Sequence, residues 1–336
     1  MAYGRIVRLF VGRFQAGNNI EGEDVLDLSQ FDIEFEVSRS IEYYDNEATI
    51  TVFNLSPSAI RSLMEEGNGV VLQAGHEDQS VGNIFVGQIG LVKSRRRTNG
   101  TIETTMHCVS SRGAFYQLAR LNCSFSFAKG TPAKQCLDAL CSYAQIALRA
   151  GFESELSKGI PYDYQKSGSF NDVIRDFTDY VLFPYYQKRL FWDNNELIVH
   201  SKINRHIELE EIVLDYEDGA LLSAEEIRDE NANKVNFGDD PAYYYFSGSD
   251  VDVEPKQSKA KKIDRTRRVQ FTALISPMIA PNCFVNIDST TGSDYDGVIG
   301  IKGRFLVMSC DFRGRNNGGE FTVEGQAMEV EGVQNA

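Results

Sequence analysis

From residue 31 to residue 37 the chain alternates strictly. Phe31, Ile33, Phe35 and Val37 are apolar, and Asp32, Glu34 and Glu36 are acidic. Period two is the spacing of a strand with one buried face and one wet, acidic face. "EATITVFNLS" continues in the same mode, with Ala48, Ile50 and Val52 on one side. The period then changes. Ser56 is a natural N-cap, Pro57 suits the first helical position, and Ile60, Leu63 and Met64 lie at helical spacing. Gly67 or Gly69 is expected to end this helix. "GVVLQAG", "NIFVGQIGLVKSR" and "TIETTMHCVS" return to extended structure, and Asn99-Gly100 between the last two signals a hairpin turn. The opening "MAYGRIVRLFVGRF" reads as a first strand, because Arg5, Arg8 and Arg13 interrupt any export-signal core.

The middle of the chain differs in character. Thr131-Pro132 opens a helix whose stripe is Ala133, Cys136, Leu137, Leu140, Ala144, Ala147 and Leu148, closed by Gly151. A second helix starts near Ser169 with Phe170, Val173, Ile174, Phe177 and Val181 inward. A hairpin follows, formed by "FPYYQ", "RLFWD", a turn at Asn194-Asn195 and "ELIVHS". Trp192 in that hairpin is expected in a core. Strand patterns return in "EIVLDYEDGALLSAEEIRDENANKVNFG", "RVQFTALIS", "CFVNIDS", "GIKGRFLVMSCDF" and "GEFTVEGQAMEV".

The first and last thirds share an order of parts. "TITVFNLSP", "VVLQAG", "FVGQIGLVKS", "RTNG" and "TIETTMHC" are matched by "QFTALISPM", "CFVNID", "IKGRFLVMS", "RNNG" and "EFTVEGQA". This alignment sets Gly87 opposite Gly303, Leu91-Val92 opposite Leu306-Val307, and Asn99-Gly100 opposite Asn317-Gly318. The short helix shrinks to "IAPN" in the second copy. The predicted class is mainly β (α+β). Two similar antiparallel β-barrels, residues 1–115 and 206–336, flank a smaller α+β domain at 116–205 with two helices and a hairpin. The last barrel carries a polar and basic insertion near 238–268.

The "ITVFNLS" strand, the capped helix, "GVVLQAGHED", "NIFVGQIGLV" and the "RRRTNG" hairpin resemble the first tube-type barrel of the central hub proteins of phage tail baseplates. That family has relatives in the N-terminal part of type VI secretion spikes. The resemblance covers almost the whole chain and departs most at 238–268. It implies a structural virion protein of the tail baseplate, assembled in the host cytoplasm. As a homotrimer it would make a ring of six barrels. It would adapt a six-fold tail tube to a three-fold spike and leave a channel for DNA. The implied partners are the tube protein, the spike protein, the tape-measure protein and other baseplate proteins, with DNA only in transit.

Charge is compatible with that expectation. The 336 residues carry a formal charge of -14, which disfavours a protein built to grip phosphates and would let a polyanion pass. Asp32, Glu34 and Glu36 are candidates for a channel wall, or they face outer solvent. No run approaches 18 apolar residues, so no membrane insertion is expected.

The six cysteines form no C-x-x-C pair and read as buried thiols. The four histidines, His76, His107, His200 and His206, show no H-E-x-x-H spacing, and neither G-x-S-x-G nor a phosphate-binding glycine loop occurs. No cofactor, metal or enzymatic activity is expected. Candidate partner contacts are Arg95, Arg96 and Arg97, the aromatic run Tyr243, Tyr244 and Tyr245, and the basic Lys259, Lys261, Lys262, Arg265, Arg267 and Arg268. The basic groups read either as solvated loops or as docking points on an acidic protein, with nucleic acid a weaker option. The tyrosines read as a buried strand or an exposed anchor. Two alternatives stay open: a β-rich tail protein that binds host-surface glycans, and a cell-wall hydrolase.

Overall fold

The computed structural model describes residues 4–14, 20, 25–41, 46–65, 68–78, 80–110, 121–194, 196–200, 211–227, 267–290 and 300–329. Seven strands form in the first third: β1 (Arg5–Arg13), β2 (Leu26–Asp27), β3 (Ile33–Ser40), β4 (Glu47–Phe53), β5 (Asn68–His76), β6 (Val81–Arg96) and β7 (Ile102–Val109). The alternation at 31–37 becomes the two faces of β3: Ile33, Phe35 and Val37 are buried and the acids between them are exposed. Helix α1 (Pro57–Leu63) has the expected N-cap, with Ser56 Oγ accepting from the Ala59 N–H at 3.2 Å. It ends earlier than its glycines suggest. Met64 is the C-cap in ordinary right-handed conformation, and Gly69 already belongs to β5.

The middle of the chain packs around its own core. It contains β8 (Asn122–Phe127), α2 (Ala133–Ala144), β9 (Ala147–Arg149), α3 (Glu153–Leu156), β10 (Tyr164–Ser169), α4 (Phe170–Phe177), a π-helical turn (Thr178–Leu182), α5 (Phe183–Tyr186), β11 (Arg189–Asp193) and β12 (Glu196–His200). Leu137, Leu140, Phe170, Phe177, Trp192 and Leu197 meet in one buried cluster. Helix α2 is shorter than its stripe predicted. Gln145 turns left-handed at φ 57°, and Ala147–Arg149 leaves the helix to pair in parallel with β12. Tertiary pairing outweighs helical periodicity there, because Leu148 sits beside Leu197 across that ladder. Ser169 caps α4 through the Asp172 N–H at 3.2 Å, and Phe170, Val173, Ile174, Phe177 and Val181 are all buried. "FPYY" is the short helix α5, so the hairpin consists of β11 and β12 alone.

The last third supplies β13 (Glu211–Asp215), β14 (Leu221–Glu226), β15 (Arg268–Leu274), β16 (Phe284–Asp288), β17 (Lys302–Arg315) and β18 (Phe321–Glu329). Its pairing repeats that of the first third. β4–β7, β6–β7, β5–β6, β3–β4 and β1–β5 are mirrored by β15–β18, β17–β18, β16–β17, β14–β15 and β13–β16. One pair breaks the match: β1 runs antiparallel to β5, but β13 runs parallel to β16. Each long strand carries a bulge at the same place. Gly90 is skipped between Ile89 and Leu91, and Met308 between Val307 and Ser309. This shifts the sequence alignment. Ile89 matches Val307 and Leu91 matches Ser309, so Leu91-Val92 does not correspond to Leu306-Val307, nor Gly87 to Gly303. Each loop places glycine, not asparagine, at positive φ: Gly100 at 87°, Gly318 at 81° and Gly319 at 78°.

The two thirds are not separate. β17 pairs antiparallel with β3, so thirteen strands form one sheet, antiparallel except at β13–β16. One hydrophobic cluster runs through both, from Phe35 and Ile50 to Phe271, Phe312 and Phe321. The Phe35 and Phe321 rings meet edge-on at 6.2 Å. The sequence-based boundaries near 115 and 205 lie outside the described residues. No helix among the described residues is long and apolar enough to cross a membrane.

Candidate assembly interface

The joint between β3 and β17 shows how this sheet fastens one unit to another. Arg315 faces Glu34, Arg313 faces Glu36 and Asp311 faces Ser38. The basic strand thus meets the acidic strand on the wet face, while Phe312 and Gly314 pack against Val37 and Phe35 on the other face. Arg315 also binds Asp32 with both arms of its guanidinium, Nε lying 3.1 Å from Oδ1. That hydrogen bond is the main reason the Asp32 carboxyl titrates below its ordinary value, burial opposing it. Asn316 Oδ1 accepts from the Ile33 N–H at 3.0 Å, and its amide donates to the Phe31 carbonyl at 2.7 Å. Of the acids that read as a channel wall or as outer solvent, Asp32 is therefore paired with Arg315 of the same chain, and Glu34 and Glu36 face Arg315 and Arg313 across the ladder.

A third segment enters at this joint. Arg39, next on the buried face after Val37, donates from Nε and Nη2 to Asp193 at 2.9 and 2.6 Å. Both side chains are 3% exposed or less. Asn46 Nδ2 donates to Asp193 Oδ1 at 3.0 Å and to the Trp192 carbonyl at 3.0 Å, and Asn194 Oδ1 accepts from the Val86 N–H at 3.0 Å. Burial alone would lower the Arg39 pKa. Burial is the largest single influence, but the charge and hydrogen bonds of Asp193 together outweigh it and hold the guanidinium ionised. Ile41, Phe191 and Ile198 form a small apolar cluster beside this ion pair. The β11–β12 turn is thereby plugged into the sheet where its two halves meet. The sequence signal was present, an arginine at an apolar-parity position, but its partner lies 154 residues away.

The predicted contact residues separate into three groups. Arg95 and Arg97 converge on Glu103, with Arg95 Nε at 3.0 Å and Arg97 Nε at 2.5 Å from Oε2. These hydrogen bonds, Arg97's first, hold the Glu103 carboxyl down to about 2. Arg95 still keeps 72% of its side chain exposed, and Arg96 beside it is exposed too. Arg267 is committed within the chain, to Glu329 at 3.3 Å and Glu226 at 3.6 Å. Arg268 starts β15 with an exposed side chain. Tyr243, Tyr244, Tyr245, Lys259, Lys261, Lys262 and Arg265 lie outside the described residues.

Two strand edges complete the inventory. The half of β6 beyond the bulge pairs with β7 on one side only, and β14 pairs with β15 on one side only, among the described residues. These are the counterparts of the two edges joined in β3–β17. The sequence did not mark them, because an edge is a property of sheet order.

Among the described residues, no three His, Cys, Asp or Glu side chains come together to hold a metal. All six cysteines are free, and burial pushes Cys136 and Cys141 up to about 12, so their thiols stay protonated.

No family model matches the sequence, and no curated protein does. Solved structures do match. A 43 kDa tail protein of prophage MuSo2 from Shewanella oneidensis aligns with a TM-score of 0.56 at 10% identity, over 96% of this chain and 96% of that one. A tail protein from Neisseria meningitidis MC58 aligns at 0.53 and 11%, over 97% of both chains. The E. coli c3393 protein aligns at 0.51 and 9%, over 90% of this chain and 74% of that one. It is described as a component of the type VI secretion system with structural similarity to the T4 bacteriophage tail proteins gp27 and gp5. At these identities the likeness is one of fold. This chain shares its fold, over nearly its whole length, with two tail proteins, one of them from a prophage, and with a type VI secretion component of gp27- and gp5-like structure.

Proposed function

We propose that the protein is a structural hub of a phage tail baseplate. Three copies form a ring of six similar β-units, which meets a six-fold tail tube on one face and a three-fold spike on the other. The ring leaves a channel through which DNA passes. In this reading it is a virion component without enzymatic activity. The tape-measure protein and other baseplate proteins are further partners.

The observation that carries the reading is the β3–β17 joint. Within one chain, two units of the same strand connectivity are fastened edge to edge. The edges corresponding to that joint stand open at the outer ends of the pair among the described residues. A heterologous joint of this kind repeats until the rotation closes, and a rotation near one-sixth of a turn per unit closes on six units, hence three chains. The similarity to tail proteins and to a gp27-like component supports the same reading.

Light scattering on the purified chain, alone and mixed with the tube protein of the same tail, tests it. A particle of three chains with a central hole in end-on images is the expected result. A strictly dimeric or permanently monomeric chain under both conditions sinks the proposal.

A further inference from the structure

The internal joint also specifies the register of the joint between chains. This inference rests on the ring reading and adds which strands meet and which residues face each other. The correspondence between the two halves closes on itself through the ladders. Arg95 and Arg313 each stand five residues beyond their bulge. Met106 and Gly325 match, through the partners of the residues flanking the bulges. Ile50 faces Met106 and Phe271 faces Gly325. Phe35 faces Ile50 and Ala224 faces Phe271. Glu225 is therefore the counterpart of Glu36, and Ala224 that of Phe35. Within the chain Arg313 faces Glu36 and Gly314 faces Phe35.

We infer that β14 of one copy pairs antiparallel with the outer half of β6 of a second copy, Arg95 facing Glu225 and Arg96 facing Ala224. Arg97 then faces Ser223, and Ser94 faces Glu226. Two independent features agree with that occupant. The β6 edge is basic, with Lys93, Arg95, Arg96 and Arg97, and the β14 edge ends in Glu225-Glu226. This is the same polarity as the internal joint, where Arg313 and Arg315 meet Glu36 and Glu34. Opposite charges facing across a ladder select one register over its neighbours. Finally, a strand edge with open peptide groups is a template for another strand, and the long β6 edge extends beyond the part that β5 covers.

The inference makes Arg95 a specificity residue despite its bond to Glu103. That bond leaves most of the guanidinium accessible, so one arginine serves both acids, as Arg313 lies beside Glu324 at 3.6 Å while facing Glu36.

The test uses the full chain and two kinds of variant. Arg95→Glu alone and Glu225→Arg alone are each expected to weaken self-association about tenfold, and the double reversal to restore it. Because Arg95→Glu places two acids side by side on the hairpin, a disulfide scan runs in parallel. R96C with A224C should yield covalent dimers and trimers on mild oxidation. R96C with E225C should not, since a one-residue shift turns the second thiol to the opposite face. A ring that survives both single reversals and gives no R96C–A224C cross-link overturns this register while leaving the hub reading intact. A wild-type chain that never associates, alone or with the tube protein, overturns both.

Discussion

At the scale of single residues, the informative side chains are the charged ones found where the pattern predicts apolar ones, or in half-buried places. Asp179 lies in the π-helical turn after α4. Burial is the largest influence on it, exceeding the opposing charges of Arg175 and Arg189, and raises its pKa from 3.8 to about 6. Between those two values the folded chain holds a proton that the unfolded chain has released. Stability therefore falls as pH rises through that window and stays reduced above it. Asp179→Asn should stabilise the protein by about 1 kcal/mol near pH 7.5, after allowance for solvent screening, and should change little near pH 3.5. Urea unfolding at the two pH values reads this out; equal effects at both would show that Asp179 is not held protonated. The sequence offered no hint of this group, because its shift comes from the packing around the π-turn.

Among the elements, period-two, N-cap and hairpin-glycine signals transferred well, and glycine signals for helix ends transferred poorly. Ser56 and Ser169 cap α1 and α4 through the bonds their positions suggested. The glycines do other work. Phe271 faces Gly325 across β15–β18, and a Cβ on Gly325 would lie 2.2 Å from the Phe271 ring. Phe35 covers Gly314 across the β3–β17 joint in the same way. A ring lying over a cross-strand glycine fills the space the missing side chain leaves. Gly325→Ala should cost about 1–3 kcal/mol by overpacking. A denaturant midpoint shifted downward with unchanged slope would register that cost, and an unshifted midpoint would mean the ring moves aside freely. None of this is legible in the sequence, because a strand glycine looks the same whether it faces a ring, a bulge or water.

For the whole molecule, the main structural decision is that the two similar thirds share one sheet and one core, with the middle region keyed in at their junction. Arg39, Asp193 and Asn46 carry that key, and Phe191 and Ile198 flank it. Removing one member of a buried charge pair leaves the other ionised and unpartnered. Asp193→Ala should therefore destabilise the chain by about 3–5 kcal/mol. It should also release the β11–β12 turn to protease before either core unfolds. Limited proteolysis followed by mass spectrometry would locate the first cut, and unchanged cleavage kinetics would show that the contact is incidental.

The sequence by itself determined most of the elements and their repetition. Alternation along Phe31 to Val37, the caps at Ser56 and Ser169, and the matching order of strands follow from local chemistry, which each segment carries with it. It also located the basic tip at Arg95, Arg96 and Arg97. Only the tertiary structure decided which edges are joined and, among the described residues, which are open, where the bulges set the register between the halves, and that Arg39 belongs to Asp193. Those depend on contacts between residues from about 150 to nearly three hundred positions apart, and no local pattern encodes which of many compatible partners a strand edge or a buried charge will meet.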